Sequence, residues 1–288
     1  MATQSLSSTY TNATDAYFRA WGSNVGVALA ALGWVKTADA GQIDWATVLK
    51  PAAVSTSQGY EIWRMDDALQ ATSPVVLKIE YGSASGGATL PAIWVTLGQG
   101  SDGAGTLTGY VTTRVTRGMT AANASTSASI FCGSTSRFTA VIGFGIGTAA
   151  GTIVLCIERT RDAAGAETAE GFSFILGGAS PASCVFQFVS TVAGLGTLCA
   201  AVNVGMPESG SGASGTEIAV YPIFPSKGVY LHPLLSLLGY FVANIGSGST
   251  PTFSYYGENH TYVPLDVRVA AGWLNGTPTG SSLLMLFE

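Results

Sequence analysis

Residues 75–82 read VVLKIEYG. Val75, Leu77, Ile79 and Tyr81 fall on one side of a period-two ribbon, and Lys78 and Glu80 fall on the other. That alternation is the pattern of a strand with one face on a core and one toward water. The segments on either side repeat it. GYEIWRMDD (59–67) and AIWVTLGQG (92–100) are apolar runs bounded by Asp, Pro and Gly, which punctuate strands.

The same texture continues to the end of the chain. RFTAVIGFG (137–145), GTIVLCIERT (151–160), EGFSFILGG (170–178), CVFQFVSTV (184–192) and EIAVYPIF (217–224) read as strands. RDAAGAETAE (161–170) is expected to close a hairpin, PESGSGASGTE (207–217) to form an exposed loop, and SSLLMLFE (281–288) to end the chain as a strand inside a sheet. One segment breaks the period. Phe18, Trp21, Val25, Leu29 and Leu32 recur at helical spacing between Thr14 and Leu32, with Asn12 or Thr14 placed to cap the start and Gly33 the end. The expected fold is therefore mainly β, an antiparallel sandwich or barrel with one N-terminal amphipathic helix. The small polar run AANASTSASIFCGSTS (121–136) reads as a junction. It divides the chain into 1–122 (arm, helix and β unit) and 123–288 (Gly-rich, charge-poor β-sandwich unit). The residues ahead of the helix read as an extended arm, to pack on the protein's own sheet or on a neighbour.

Composition narrows the function. Hydrophobic residues make up 47% of the 288, so a large core is available, yet Asp, Glu, Lys and Arg together make up only 10%, against roughly 25% in average soluble domains. A chain that withholds charge from its surface is expected to place that surface against lipid or other subunits. Lipid is disfavoured by sequence. The uncharged runs 138–157 and 185–204 are broken by glycine and β-branched residues, LHPLLSLLGYFV (231–242) carries His232 and Pro233, and no Lys/Arg cluster flanks them. Nucleic acid is disfavoured by the net charge of −5 and by scattered basic residues, the nearest groupings being Arg114 with Arg117 and Arg159 with Arg161. MATQSLSSTYTNATD at the start lacks the basic and apolar regions of a secretion signal, and the sequons at Asn12, Asn123, Asn259 and Asn275 read as chance matches.

No constellation of catalytic, cofactor-binding or metal residues emerges. Cys132, Cys156, Cys184 and Cys199 are far apart and are expected to be reduced core residues; His232 and His260 do not supply ligand spacing. Gly98–Gly103 matches the letters of a dinucleotide fingerprint, but AGTLTGYVTTRV follows where a helix must begin, so a Gly-rich hairpin is expected; Gly145–Ala150 fails for the same reason. Asp66 and Asp67, near Glu61 and Glu80, are the most enzyme-like carboxylates, though neighbouring aspartates at a strand end more often shape a turn. Asp102 alone is too few oxygens for calcium. The segment YYGENHTY (255–262), with Tyr255, Tyr256 and Tyr262 beside His260, is expected to be a loop anchored by its aromatics, with stacking of the rings on sugars as the alternative. The tryptophans (Trp21, Trp34, Trp45, Trp63, Trp94 and Trp273) are expected to fill the core.

GWVKTADAGQIDWATV (33–48), GYEIWRMDDALQATSPVVLKIEYGS (59–83) and PAIWVTLGQGSDGAGTLTG (91–109) resemble virion structural proteins of tailed bacteriophages, over roughly residues 15–110. The resemblance implies a non-enzymatic, ring-forming structural subunit of the virion, assembled in the bacterial host cytoplasm, with copies of itself and other virion proteins as partners. A tail-associated place (baseplate, tail tip, collar or fibre attachment) is expected first. The alternatives are a host-glycan-binding module built on the Tyr255–Tyr262 loop, a capsid decoration protein, and last a carbohydrate-active enzyme using Asp66 or Asp67.

Overall fold

The alternation of 75–82 does become a strand, and it lies in the middle of a sheet. The computed structural model describes residues 2–143, 152–162, 164–177, 185–189, 219–222, 226–227, 230–231, 237–241, 252–255, 258–268 and 282–286. Within them the chain is mainly β, with antiparallel sheets and one helix near the N-terminus. In chain order the first elements are β1 (Ala2–Tyr10), α1 (Asp15–Ala31), β2 (Val35–Lys36), β3 (Ser57–Arg64), β4 (Val76–Ala84), β5 (Gly87–Gly98), β6 (Gly100–Ser101), β7 (Leu107–Thr108) and β8 (Val115–Gly118). Then come β9 (Asn123–Ser134), β10 (Arg137–Ile142), β11 (Ile153–Arg161), β12 (Glu167–Gly177) and β13 (Val185–Val189).

One sheet has the order β2-β3-β4-β5-β8 and the other β1-β9-β10-β11-β12-β13. Their facing sides close on a single core. Leu77, Ile79 and Tyr81 from β4 and Ile93, Val95 and Leu97 from β5 share one buried cluster with Phe131, Phe138, Ala140, Leu155 and Ile157 from the other sheet. β11 and β12 pair antiparallel, as the expected hairpin requires. Toward the C-terminus, strands 219–222, 237–241, 282–286, 258–268 and 252–255 are neighbours in that order, so the last strand does lie inside a sheet. The expected loop 207–217 lies outside the described residues, as do Cys184, Cys199, His232, Gly145–Ala150 and Trp273.

The helix forms where its pattern places it. Thr14 is extended and its Oγ1 accepts the Tyr17 N–H at 3.1 Å, satisfying one of the orphan donors of the first turn. Gly33 ends it at φ +90°, a conformation a side chain would disfavour. Phe18, Trp21, Val25, Ala28 and Leu29 are buried against both sheets. Two glycines let α1 come close. A Cβ on Gly22 would sit 2.2 Å from Cη2 of Trp45, and one on Gly26 would sit 2.9 Å from a Glu61 carboxylate oxygen.

One expectation about the first 136 residues needs correction. The small polar run 121–136 is not a free junction, because most of it forms the twelve-residue strand β9. Its partner is the N-terminal arm, itself a strand, in the register Ser5↔Ile130, Ser7↔Ala128 and Thr9↔Thr126. Ser and Thr, read as loop formers, pair across strands through their hydroxyls and β-branched stems. The division expected between 122 and 123 lies in the link from β8 to β9, and β1 spans it to join the second sheet.

β10 and β11 are buried on both faces. The outward set Thr139, Val141, Val154 and Cys156 is as inaccessible as the inward set Phe138, Ala140, Leu155 and Ile157. Part of the charge-free run 138–157 is thus explained by burial within the chain, as for any strand covered on both sides.

Candidate functional site

A cleft of about 580 Å³ opens beside the β4–β5 turn, where β8 forms the edge of its sheet. Its floor is apolar: Ala84 and Trp94, with Leu90 packed against them, and Met119 at its side. The backbone around it is held by one buried serine. Ser83 donates to the Ala53 carbonyl at 2.6 Å and accepts the Thr56 N–H at 3.2 Å, which draws the 53–56 loop against the end of β4. Ser55 in that loop has φ +52°, the one left-handed residue other than glycine among the described residues, and it lies on the rim. Such conformations persist where the surroundings over-determine them. Ser85, Thr116 and Thr120 add hydroxyls to the rim, and Arg117 is the charged residue of the lining.

Below the floor, Arg114 lies 4.8 Å from the Trp94 ring centroid and makes paired bonds of 2.5 and 2.9 Å to Glu80. The ring is thereby locked by a cation on its face and a fork-shaped ion pair behind it. The arrangement can hold a small ligand by apolar contact below and hydrogen bonds around. It offers no carboxylate, imidazole or thiol among its described lining residues for proton transfer or nucleophilic attack. The sequence shows Arg114 and Arg117 only as one of the closer groupings of scattered basic residues, and the cleft is not visible in it. The signal available was weak: Ser85-Gly-Gly87 marks a tight turn, and nothing local shows that 116–120 returns beside it.

The candidate carboxylates are not gathered in a cleft. Each is in an ion pair with a different cation: Asp66 with Arg64, Asp67 with Arg159, Glu61 with Lys36 and Glu80 with Arg114. Asp66 is exposed on the surface, while Asp67 turns inward. Asp67 receives Arg159 Nε at 2.5 Å and Nη2 at 2.9 Å, and it also caps the following turn by accepting the Leu69 N–H at 3.0 Å. That pair ties the loop after β3 to β11 in the opposite sheet. Glu61 points into the core side of β3, where it accepts from Lys36 (2.7 Å), Trp45 Nε1 (3.3 Å) and the Tyr81 hydroxyl (2.8 Å). These are the bonds of a scaffold: they join α1's neighbours to the sheet beneath it.

The remaining expectations resolve as follows. Gly98–Gly103 runs from the end of β5 into the hairpin of β6 and β7, with β-structure rather than a helix after it. Asp102 shapes its turn, accepting the Ala104 and Thr106 N–H groups, which hold its carboxyl below the usual range. Cys132 and Cys156 are buried and not joined in a disulfide. The aromatic segment is anchored by burial, as its first reading expects, but on strands: residues 252–255 and 258–268 pair antiparallel, with Tyr255 opposite Glu258. Tyr262 is fully buried and His260 nearly so, which removes both from any sugar-stacking surface; Tyr256 lies outside the described residues.

Two buried tyrosines make alkaline stability a test of this packing. Burial, together with the Glu61 carboxylate bonded to it, pushes the Tyr81 hydroxyl well above its usual value of 10.0. Burial and nearby Glu158 raise Tyr262 in the same direction. A group whose folded pKa is raised contributes fully below its unfolded pKa and loses that contribution as pH climbs toward the folded one. Stability is therefore expected to be flat through neutral pH and to fall steeply above about pH 10. Urea midpoints between pH 8 and 11 check this. Tyr81→Phe, which also leaves a Glu61 oxygen with one donor fewer, is expected to be weaker at pH 8 and to show a shallower alkaline fall. An equal slope in the variant would contradict the assignment.

No protein-family model, no curated protein and no solved structure matches this chain, so the function is argued from its residues and geometry.

Proposed function

We propose that this chain is a structural subunit of a bacteriophage particle, tail-associated and working through subunit–subunit interfaces. Its partners in this reading are copies of itself and other virion proteins, and its place is the virion. The observation that carries the reading is the neutrality of exposed surface that burial within the chain does not explain. On the outer side of α1, Ala16, Tyr17, Ala20, Val27 and Ala30 are exposed; on β1 and β9, Ser5, Ser7 and Ala124–Thr126 are exposed. A free-standing domain ordinarily covers such positions with Lys and Glu. Interface cores are depleted of those residues. The resemblance of residues 15–110 to phage virion proteins adds the particle.

In mechanical terms the sandwich is built for rigidity. The Glu61 node within β3 and the Asp67–Arg159 pair in the loop after it brace α1 and the two sheets. A rigid body with neutral faces transmits load between neighbours without rearranging. The test is immunogold electron microscopy on particles of the phage that encodes this chain, with antibody raised against the purified protein. Label at one fixed position, repeated from particle to particle, is the expected result. Particles without label, intact and after mild disruption, would refute a virion role.

A further inference from the structure

We propose that β1 is the seam at which a second copy of this chain adds its own β1, antiparallel, so that two six-stranded sheets continue into one. β1 ends its sheet, pairing with β9 on one side and with no other strand among the described residues. It is nine residues long, Ala2–Tyr10, with no charge, no proline and no glycine. An edge strand presents unpaired N–H and C=O groups, and proteins that must stay monomeric shorten it or arm it with charge or proline. The other sheet follows that rule: its edges β2 and β8 have two and four residues and carry Lys36 and Arg117. β1 does not. α1 covers only its inward face, where Asn24 reaches Ser8 and Leu6 packs on the core, and Ser5 and Ser7 are left exposed.

The occupant follows from the strand's own sequence. In the two-fold register that pairs all nine residues, Leu6 lies opposite Leu6, Ser5 opposite Ser7, Gln4 opposite Ser8 and Thr3 opposite Thr9. Every pair is neutral, and the Ser–Ser and Thr–Thr pairs are of the kind that bond across strands. A two-fold axis makes such an interface self-complementary, and main-chain bonds supply the attraction. The inference rests on the assembly role proposed above and adds the site of one contact.

The experiment is size-exclusion chromatography with light scattering on the wild-type chain and on the double variant Ser5→Lys, Ser7→Lys. Both side chains are exposed, so the fold should survive, which circular dichroism and the thermal midpoint check. In the pairing described, each new lysine faces a lysine of the other copy, and like charges placed opposite are repelled. The expected result is an oligomer for wild type and half that mass, or a smaller multiple, for the variant. An oligomeric wild type with an unchanged variant would overturn the seam and leave the assembly role standing. A wild type that is monomeric throughout would overturn both. If the variant misfolds, hydrogen exchange on wild type decides: the outward β1 amides should be protected in concentrated solution and released on dilution, and concentration-independent exchange would overturn the seam.

Discussion

Asp67→Ala is expected to lower the unfolding free energy by about 3–5 kcal/mol, a large part of the roughly 5–15 kcal/mol that holds a domain together. The reason is what it leaves behind. The Arg159 side chain is fully inaccessible and the Asp67 side chain nearly so. Arg159 Nη1 already has no hydrogen-bond partner, so the aspartate is the sole described acceptor for Nε and Nη2. Removing it leaves a guanidinium in the interior without its described acceptors. The turn also loses its cap on the Leu69 N–H. The neighbouring residue is the control. Asp66 pairs with Arg64 in the open, and Asp66→Ala is expected to change stability by no more than about 0.5 kcal/mol, as exposed ion pairs do. Urea denaturation of the two variants side by side measures the contrast. Equal losses would mean that the buried pair does not brace the sheets.

Trp21→Ala is expected to cost a similar amount, about 3–5 kcal/mol, by a different route. Trp21 is fully buried, with its ring 5.7 Å from Phe18 and 6.2 Å from Tyr81, where α1 meets β4. Its removal leaves a cavity at the centre of the three-way contact between helix and sheets. It also strands Asn12. Asn12 Oδ1 accepts the indole N–H at 2.9 Å, while its Nδ2 donates to the carbonyls of Gly82, Ala88 and Leu90. One side chain thus fixes the entry of the helix onto the β4–β5 hairpin. Trp21→Phe separates the two effects. It keeps most of the ring and removes only the donor, so a loss of about 1–3 kcal/mol is expected. Thermal or urea unfolding that gave equal losses for Phe and Ala would assign the whole effect to Asn12 and contradict the packing argument.

What could be read in advance depended on whether the signal was local. Period-two alternation in 75–82 and the 3.6 period from Phe18 to Leu32 are properties of consecutive residues, and both elements formed as read. Thr14 and Gly33 bounded the helix because caps are local as well. The run 121–136 misled because its Ser, Thr and Ala side chains carry no burial signal; as β9 it pairs at its end with the neighbouring β10, but over 123–129 its partner is β1, more than a hundred residues away. Asp66 and Asp67 are adjacent in sequence yet differ entirely in environment, since only Asp67 meets Arg159. The tyrosine cluster shows the same limit. Tyr262 is buried near Arg137 and Glu158, a grouping with no trace in YYGENHTY itself. The cleft beside Trp94 is assembled from four separate stretches, so no window of sequence displays it.

The missing charge also divides into two parts. Along β10 and β11 it reflects strands covered on both faces within the chain. Along the outer sides of β1, α1 and the start of β9 it does not, and there the account requires a neighbour. Light scattering on the wild-type protein across a wide range of concentration and salt tests that requirement most directly. A neutral seam gains nothing from Coulomb attraction, so salt should not dissolve it. The expected mass is a whole multiple of 29.4 kDa, unchanged in high salt. A single 29.4 kDa species that stays soluble and monomeric up to the highest concentration reached would contradict it.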